Sequence, residues 1–163
     1  METENGIPDP HTWMSTANSR IIAENIYKAL VQLDKKDSAY FKKNLERLID
    51  TIAKVDSKIR SITKDKTKRA FLIYHPILTY YARDFGLQQI PLEEESREPS
   101  ARQMQNIIRR AKQEHVDVFF VQKEFANRNI KAVSESTGAQ TVEINPLGYD
   151  WQKEMIKVAE CLK

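Results

Sequence analysis

The spacing of apolar residues changes twice along the chain. Residues 1–13 show no period, and Pro8 and Pro10 disfavour helix, so an extended lead-in is expected. Ile21, Ile22, Ile26, Ala29, Leu30 and Leu33 then recur at helical spacing, predicting a helix over 16–33 with Ser15 or Thr16 as its N-cap. Residues 34–37 break the pattern. Over 38–62 the stripe Phe41, Leu45, Leu48, Ile49, Ile52, Val55, Ile59 and Ile62 lies opposite Lys43, Glu46, Asp50, Lys54 and Arg60. This predicts one helix spanning about 37 Å at ~1.5 Å per residue. Such a length is unusual for a compact domain of this size. It reads equally as a strut between two lobes and as an ordinary core helix or coiled-coil segment.

From Lys68 onward the texture is different. Residues 69–74 are continuously apolar in their middle, as a buried parallel strand should be. Pro76 opens a predicted helix that runs to Phe85 and stops at Gly86. A strand over 87–92 follows, then a polar loop over 93–99. Ser100-Ala101-Arg102-Gln103 has capping-box form and starts a helix reaching residue 114, with Met104, Ile107, Ile108 and Ala111 facing inward. A strand over 116–121 is interrupted only by Asp117. A helix over 126–137 ends at Gly138, and a fourth strand covers 140–144. Pro146 and Gly148 turn the chain into a last helix over 150–161. The alternation predicts an α/β fold: a four-stranded, mostly parallel sheet with helices on both faces and right-handed crossovers, preceded by the long helix.

Composition narrows the function classes. The 163 residues suffice for one domain with a real core, and 40% hydrophobic with 30% charged residues describes a globular chain. The 26 basic and 23 acidic residues are well mixed, and a net charge of +3 gives no argument for nucleic acid. Lys64, Lys66, Lys68 and Arg69, interrupted by Asp65, read as a solvated loop rather than a phosphate patch. The single cysteine, Cys161, excludes an intrachain disulfide and a Cys-rich zinc site. No apolar run approaches the ~20 residues of a membrane span. Residues 1–8 are polar and acidic rather than a signal peptide, so the protein is either cytosolic or a piece of a longer chain.

Two histidines stand out. His75 directly follows the apolar run Ala70 to Tyr74, where a strand ends and Pro76 opens a helix. Ligands in open α/β sheets bind just outside the carboxyl ends of strands. The dipole of a helix starting at Pro76 would keep the ring neutral and ligating. His11, in the stiff stretch Asp9-Pro10-His11-Thr12-Trp13, is held by its backbone, and Asp9 is placed to take its other ring N–H. Two neutral imidazoles at such edges point to a transition metal, with zinc the first choice. The bland alternatives are a helix-capping His75 and an exposed loop His11. His115 is expected to pack at a helix end and bond its terminal carbonyls. No Ser/His/Asp set, Cys/His pair, glycine-rich phosphate loop or His-Glu-x-x-His helix is present. Asp84 and Glu124 are not marked as an acid/base couple. A zinc hydrolase would need a general base beside an open metal position, and none is evident.

At these residues the chain resembles the zinc- and manganese-type solute-binding proteins of ABC transporters, the cluster A-I group. Asp9-Pro10-His11-Thr12-Trp13 is similar to that family's Asp-Pro-His-x-Trp motif, and the likeness continues through Ala23-Glu24-Asn25-Ile26, Tyr40 and Asn44. It includes His75 and Tyr80-Tyr81-Ala82-Arg83-Asp84-Phe85-Gly86-Leu87, then Glu98-Pro99-Ser100-Ala101 and Thr137-Gly138-Ala139. It ends at Asn145-Pro146-Leu147-Gly148, where the family has Asp-Pro-Leu-Gly.

The resemblance implies two α/β lobes joined by one rigid helix. Residues 1–37 would be the remnant of an N-terminal lobe, 38–63 the linker helix and 64–163 the C-terminal lobe. It implies capture of Zn2+ between the lobes and delivery to a membrane permease, not catalysis. His11 matches the N-lobe ligand and His75 the first C-lobe ligand, and His at the latter position favours zinc over manganese. Asn145 falls on an Asp ligand. A neutral amide is a poor zinc ligand beside a carboxylate, so water, Glu143 or Asp150 are the alternatives for that position. The family expectation is an extracytoplasmic or periplasmic protein, monomeric when full-length, with a lipid anchor among the attachments an upstream N-terminus could carry. A metal-binding or adhesion protein that keeps the fold without transporting is the competing expectation.

Overall fold

The computed structural model describes residues 8–65, 69–93, 99–123 and 128–162. Among them are helices α1 (Thr16–Leu33), α2 (Ser38–Thr63), α3 (Thr79–Phe85), α4 (Ala101–Gln113), α5 (Arg128–Thr137) and α6 (Trp151–Cys161). The strands are β1 (Ala70–Ile73), β2 (Gln88–Pro91), β3 (Val118–Gln122) and β4 (Gln140–Ile144). They form one sheet in the order β2-β1-β3-β4, and every pairing is parallel. The expected α/β sheet is therefore present and wholly parallel.

Both faces of the sheet are covered, which is why its central strands read as unbroken apolar runs. Phe71, Ile73, Val118, Phe120 and Ile144 face Val55 and Ile59 of α2, Tyr81 and Phe85 of α3, and Met155 and Val158 of α6. Leu72, Ile90, Phe119 and Val121 face Ala111 of α4 and Ile130 and Val133 of α5. The first layer also holds Tyr81, whose buried hydroxyl donates to the Met155 carbonyl (3.0 Å).

Local chemistry sets most element ends as the sequence predicts. The Ser15 hydroxyl accepts from the Asn18 N–H (3.0 Å) and caps α1. Asp34 folds the α1–α2 turn by accepting from the backbone N–H groups of Lys36 (2.9 Å) and Asp37 (3.4 Å). Ser100 and Gln103 complete the capping box of α4. Gly86 ends α3 at φ +64°, a left-handed conformation glycine adopts without steric cost.

Several expectations are corrected. The lead-in is not extended throughout: Thr12–Met14 forms a 3-10 turn, closed by the Met14 N–H on the His11 carbonyl (3.2 Å). α3 starts at Thr79, not Pro76, because residues 75–78 form tight turns, with the Ile77 N–H on the His75 carbonyl (2.7 Å). His75 is thus set back from the helix, and the dipole argument for it fails. β3 starts at Val118, because the Val116 N–H is used by the Ala111 carbonyl of α4 (2.9 Å). α6 begins at Trp151, with Asp150 as its cap. The expected start of α5 at residue 126 and the side chains of Lys66, Lys68, Glu98 and Glu124 lie outside the described residues.

The apolar stripe of α1 is real but is not core. Ile21, Ile26, Leu30 and Leu33 are exposed, as are Tyr40 and Leu48 on the first half of α2. Only the second half of α2 (Val55, Ile59, Ile62) reaches the sheet layer, because a helix of 26 residues outruns it.

His115 also departs from expectation. It is exposed and sits at φ +51°, the left-handed position after α4. Its backbone N–H bonds Lys112 (3.2 Å) while Val116 bonds Ala111 (2.9 Å), the paired closure usually completed by glycine. A residue with a Cβ is strained there, so His115→Gly should raise stability by up to about 1 kcal/mol, the relief of strain being partly offset by glycine's freedom in the unfolded chain. The urea midpoint reads this directly, and a lower midpoint would show that the imidazole makes contacts worth more than the strain.

Candidate metal centre

The register of the sheet builds one half of the site. β1 pairs with β2 so that Ile73 lies opposite Pro91, and with β3 so that Ile73 lies opposite Phe120. Continued two residues further, those offsets put His75 between Glu93 and Gln122, at the carboxyl edge. The side chains complete the row. His75 Nδ1 lies 2.7 Å from Glu93 Oε2, and Glu93 is only 9% exposed. Buried Gln122 grips the His75 backbone: its Nε2 donates to the His75 carbonyl (2.9 Å) and its Oε1 accepts from the His75 N–H (3.4 Å). The crossovers leaving β1 and β3 go to opposite sides here, and this is the switch point at which parallel sheets open a crevice.

The other half is an arm laid across that edge. Buried Asp9 accepts, through one carboxylate oxygen, from the His11 N–H (2.9 Å) and lies 2.7 Å from His11 Nδ1. Tyr80 of α3 donates its hydroxyl to the Asp9 carbonyl (2.9 Å), and the Arg83 guanidinium lies over the Tyr80 ring at 5.1 Å. Two indoles tie the arm to the β4–α6 loop. Trp13 Nε1 donates to the Pro146 carbonyl (3.0 Å), and Trp151 Nε1 donates to the Trp13 carbonyl (2.8 Å). Below the arm, the Ser15 hydroxyl donates to Asp84, which also accepts from Arg83 Nη2 (2.6 Å). Asp84 is therefore a structural anchor of the arm. Thr16 donates to Asp56 of α2 (2.7 Å), which Arg60 also grips (2.7 Å).

These two halves bring His11 and His75 together, with ring centroids 5.2 Å apart and planes nearly perpendicular at 83°. Neither Glu143 nor Asp150 forms a metal-holding group with them. Asn145 follows β4 at the same edge, exposed, with its N–H on Glu154 (3.0 Å) and its carbonyl accepting from Gly148 (2.9 Å). A Cβ on Gly148 would stand 3.0 Å from that carbonyl and 3.3 Å from the Asn145 amide nitrogen, so a side chain there would crowd Asn145. Glu143 alternates with Val142 and Ile144, which face the α2–α6 layer, so its side chain points from the opposite face. Asp150 caps α6 through the Lys153 N–H (3.1 Å). His115 precedes β3 and lies at the other edge of the sheet. Among the described residues, no group of three or more His, Cys, Asp or Glu side chains is disposed to hold a metal.

Glu93 and Gln122 were not singled out in the sequence, and Tyr80 entered only within the stretch Tyr80 to Leu87 that carries the resemblance. Glu93 was assigned to a polar loop, yet the signal existed: predicted strands ending at 74 and 92, set side by side, make His75 and Glu93 neighbours.

Fold and geometry together define a doubly covered parallel α/β unit carrying two imidazoles at its switch point. The chain belongs to the family described as zinc-uptake complex component A periplasmic (ZnuA), whose model matches residues 1–162. It is 28% identical over 141 residues to the high-affinity zinc uptake system protein ZnuA of Bacillus subtilis, a match covering 85% of this chain and 44% of that protein. A crystal structure of ZnuA superposes with a TM-score of 0.94 at 30% identity, covering 98% of this chain and 63% of that one. The laminin-binding protein Lbp of Streptococcus pyogenes superposes with a TM-score of 0.87 at 26% identity, covering 95% and 66% respectively. The chain thus spans less than half of the Bacillus protein and about two thirds of each of the two superposed structures.

The anchor below the arm carries a pH signature. Burial alone would raise the Asp56 carboxyl, but hydrogen bonds from Arg60 and Thr16 outweigh it and hold the group below its ordinary value of 3.8. A folded value below the unfolded one stabilises the protein above about pH 4, and that contribution is lost as pH falls through the folded value. Asp56→Asn should lower stability near neutral pH and flatten the loss of stability below about pH 4. Urea unfolding at both pH values checks it; the same acid loss in both proteins would exclude Asp56 as its source.

Proposed function

We propose that this chain is the metal-holding part of an extracytoplasmic solute-binding protein that captures Zn2+ between two lobes and delivers it to the permease of an ABC importer. The observation that carries the reading is the convergence of His11 and His75 from two separate segments. Imidazole suits zinc better than manganese, which prefers oxygen donors. Family membership and the name of the Bacillus relative support the same cargo. The action is capture and release, with the metal as cargo and no chemical step.

In this reading, residues 1–37 belong to an N-terminal lobe, 38–63 form the linker helix and 64–163 form the C-terminal lobe. The exposed stripe of α1 and the first half of α2 supports the division, since such a face is what a second lobe would cover. The full-length protein would act as a monomer outside the cytoplasmic membrane, tethered by a lipid anchor where upstream chain carries one. No described helix is long and apolar enough to cross a membrane. Asn145 leaves the oxygen position to water or to the amide itself.

Asn145 also favours a second reading, a protein that keeps the fold but holds metal weakly and serves in adhesion. The name of the structurally similar Lbp accords with that alternative.

Zinc titration of this chain against a chromogenic chelator separates the two. The transport reading expects zinc binding that His75→Ala weakens by more than the roughly 100-fold that outlying groups can reach, while Asn145→Ala changes it little. Absence of zinc-specific binding in the unmodified chain would overturn capture and leave the adhesion reading.

A further inference from the structure

We propose that Glu93 is the positioning residue for His75: it keeps the ring proton on Nδ1 and makes Nε2 the nitrogen offered to the metal. The inference rests on the metal-capture reading and adds to it which atom of His75 binds.

The geometry carries each step. A carboxylate only accepts hydrogen bonds, so the short contact between Glu93 and His75 Nδ1 (2.7 Å) requires a hydrogen on that nitrogen. In the neutral ring Nε2 is then the nitrogen that keeps its lone pair, and the tautomer is set by the partner of Nδ1. The pair cannot drift apart. The Glu93 N–H is held by the Tyr74 carbonyl (2.9 Å), and the His75 backbone is held by Gln122. Asp9 repeats the arrangement on His11 at the same 2.7 Å. Asp9 is 6% and Glu93 9% exposed. Removing a carboxylate from water is costly unless it is paired, and the ring Nδ1 is the partner each of these two carboxylates has.

Two variants of the 163-residue chain separate these roles. Glu93→Gln keeps an acceptor oxygen of the same reach and removes the charge; Glu93→Leu removes both. Two-bond proton–nitrogen NMR correlations of the metal-free protein report which nitrogen of His75 carries the hydrogen. Chelator competition reports zinc affinity. The expected result is Nδ1–H in the unmodified chain and in Glu93→Gln, with Nε2–H gaining in Glu93→Leu. Zinc affinity should fall about 10–100-fold in Glu93→Leu, with Glu93→Gln between it and the unmodified chain. Nε2–H in the unmodified chain, or zinc affinity untouched by Glu93→Leu, would overturn the proposal while leaving metal capture standing. If the unmodified chain takes up no zinc, metal capture falls instead, and the NMR result still decides whether Glu93 sets the His75 tautomer.

Discussion

The site depends on the parallel register between β1 and its two neighbours. Backbone pairing fixes Ile73 against Pro91 on one side and Phe120 on the other, and the same offsets continue past the strand ends. Glu93, His75 and Gln122 therefore stand in one row without any loop having to find them. A slip of one residue would reverse every side chain in β1 and bury the wrong set, so the packing of Phe71, Leu72 and Ile73 on two covered faces also locks the row. Core and site are one constraint: the apolar layers hold the strands in register, and the register aligns the polar row at their ends.

The arm obeys a different logic. It has no strand to align it; Met14 anchors it in the apolar layer beside α2, α3 and α6, and polar contacts aimed at backbone carbonyls hold the rest: Tyr80 on Asp9, Trp13 on Pro146, Trp151 on Trp13. Each joins an element of the α/β unit to the segment before α1. The hydroxyls of Ser15 and Thr16 then tie the start of α1 to α3 and α2 through Asp84 and Asp56. His11 is thereby fixed relative to His75 from several directions.

Much of this was legible in the sequence, and the misses have identifiable causes. Periodicity located all four strands, since continuous apolar runs between turn residues leave few alternatives. It also marked the stripe of α1 as apolar, but a period states which face is oily and not what covers it. Asp9 beside His11 was readable because the partners are two residues apart. Glu93 was missed because polarity was taken to mean exposure, when a carboxylate can be buried against an imidazole. The start of α3 was misplaced because Pro76 fits a first helical turn as well as a tight turn. Gln89, whose side chain accepts from the Leu78 N–H (2.9 Å), decides between them from the next strand. Local rules cannot see such tertiary partners. The side chain at position 145 was readable as an amide, but its orientation depends on Gly148 closing the turn beneath it.

One consequence follows from where the two imidazoles sit in the chain. All of α1 and α2 lies between them, so an ion gripped by both rings closes a long loop, as a covalent cross-link would. Cross-links of this kind act chiefly on the unfolded ensemble, and their effect grows with the length of chain enclosed. A loaded molecule and an empty one would then differ in durability as well as in cargo. The helical hairpin that shows so much apolar surface in the structure would be the part most secured by the ion, and the part most readily opened to proteases once the ion has been surrendered.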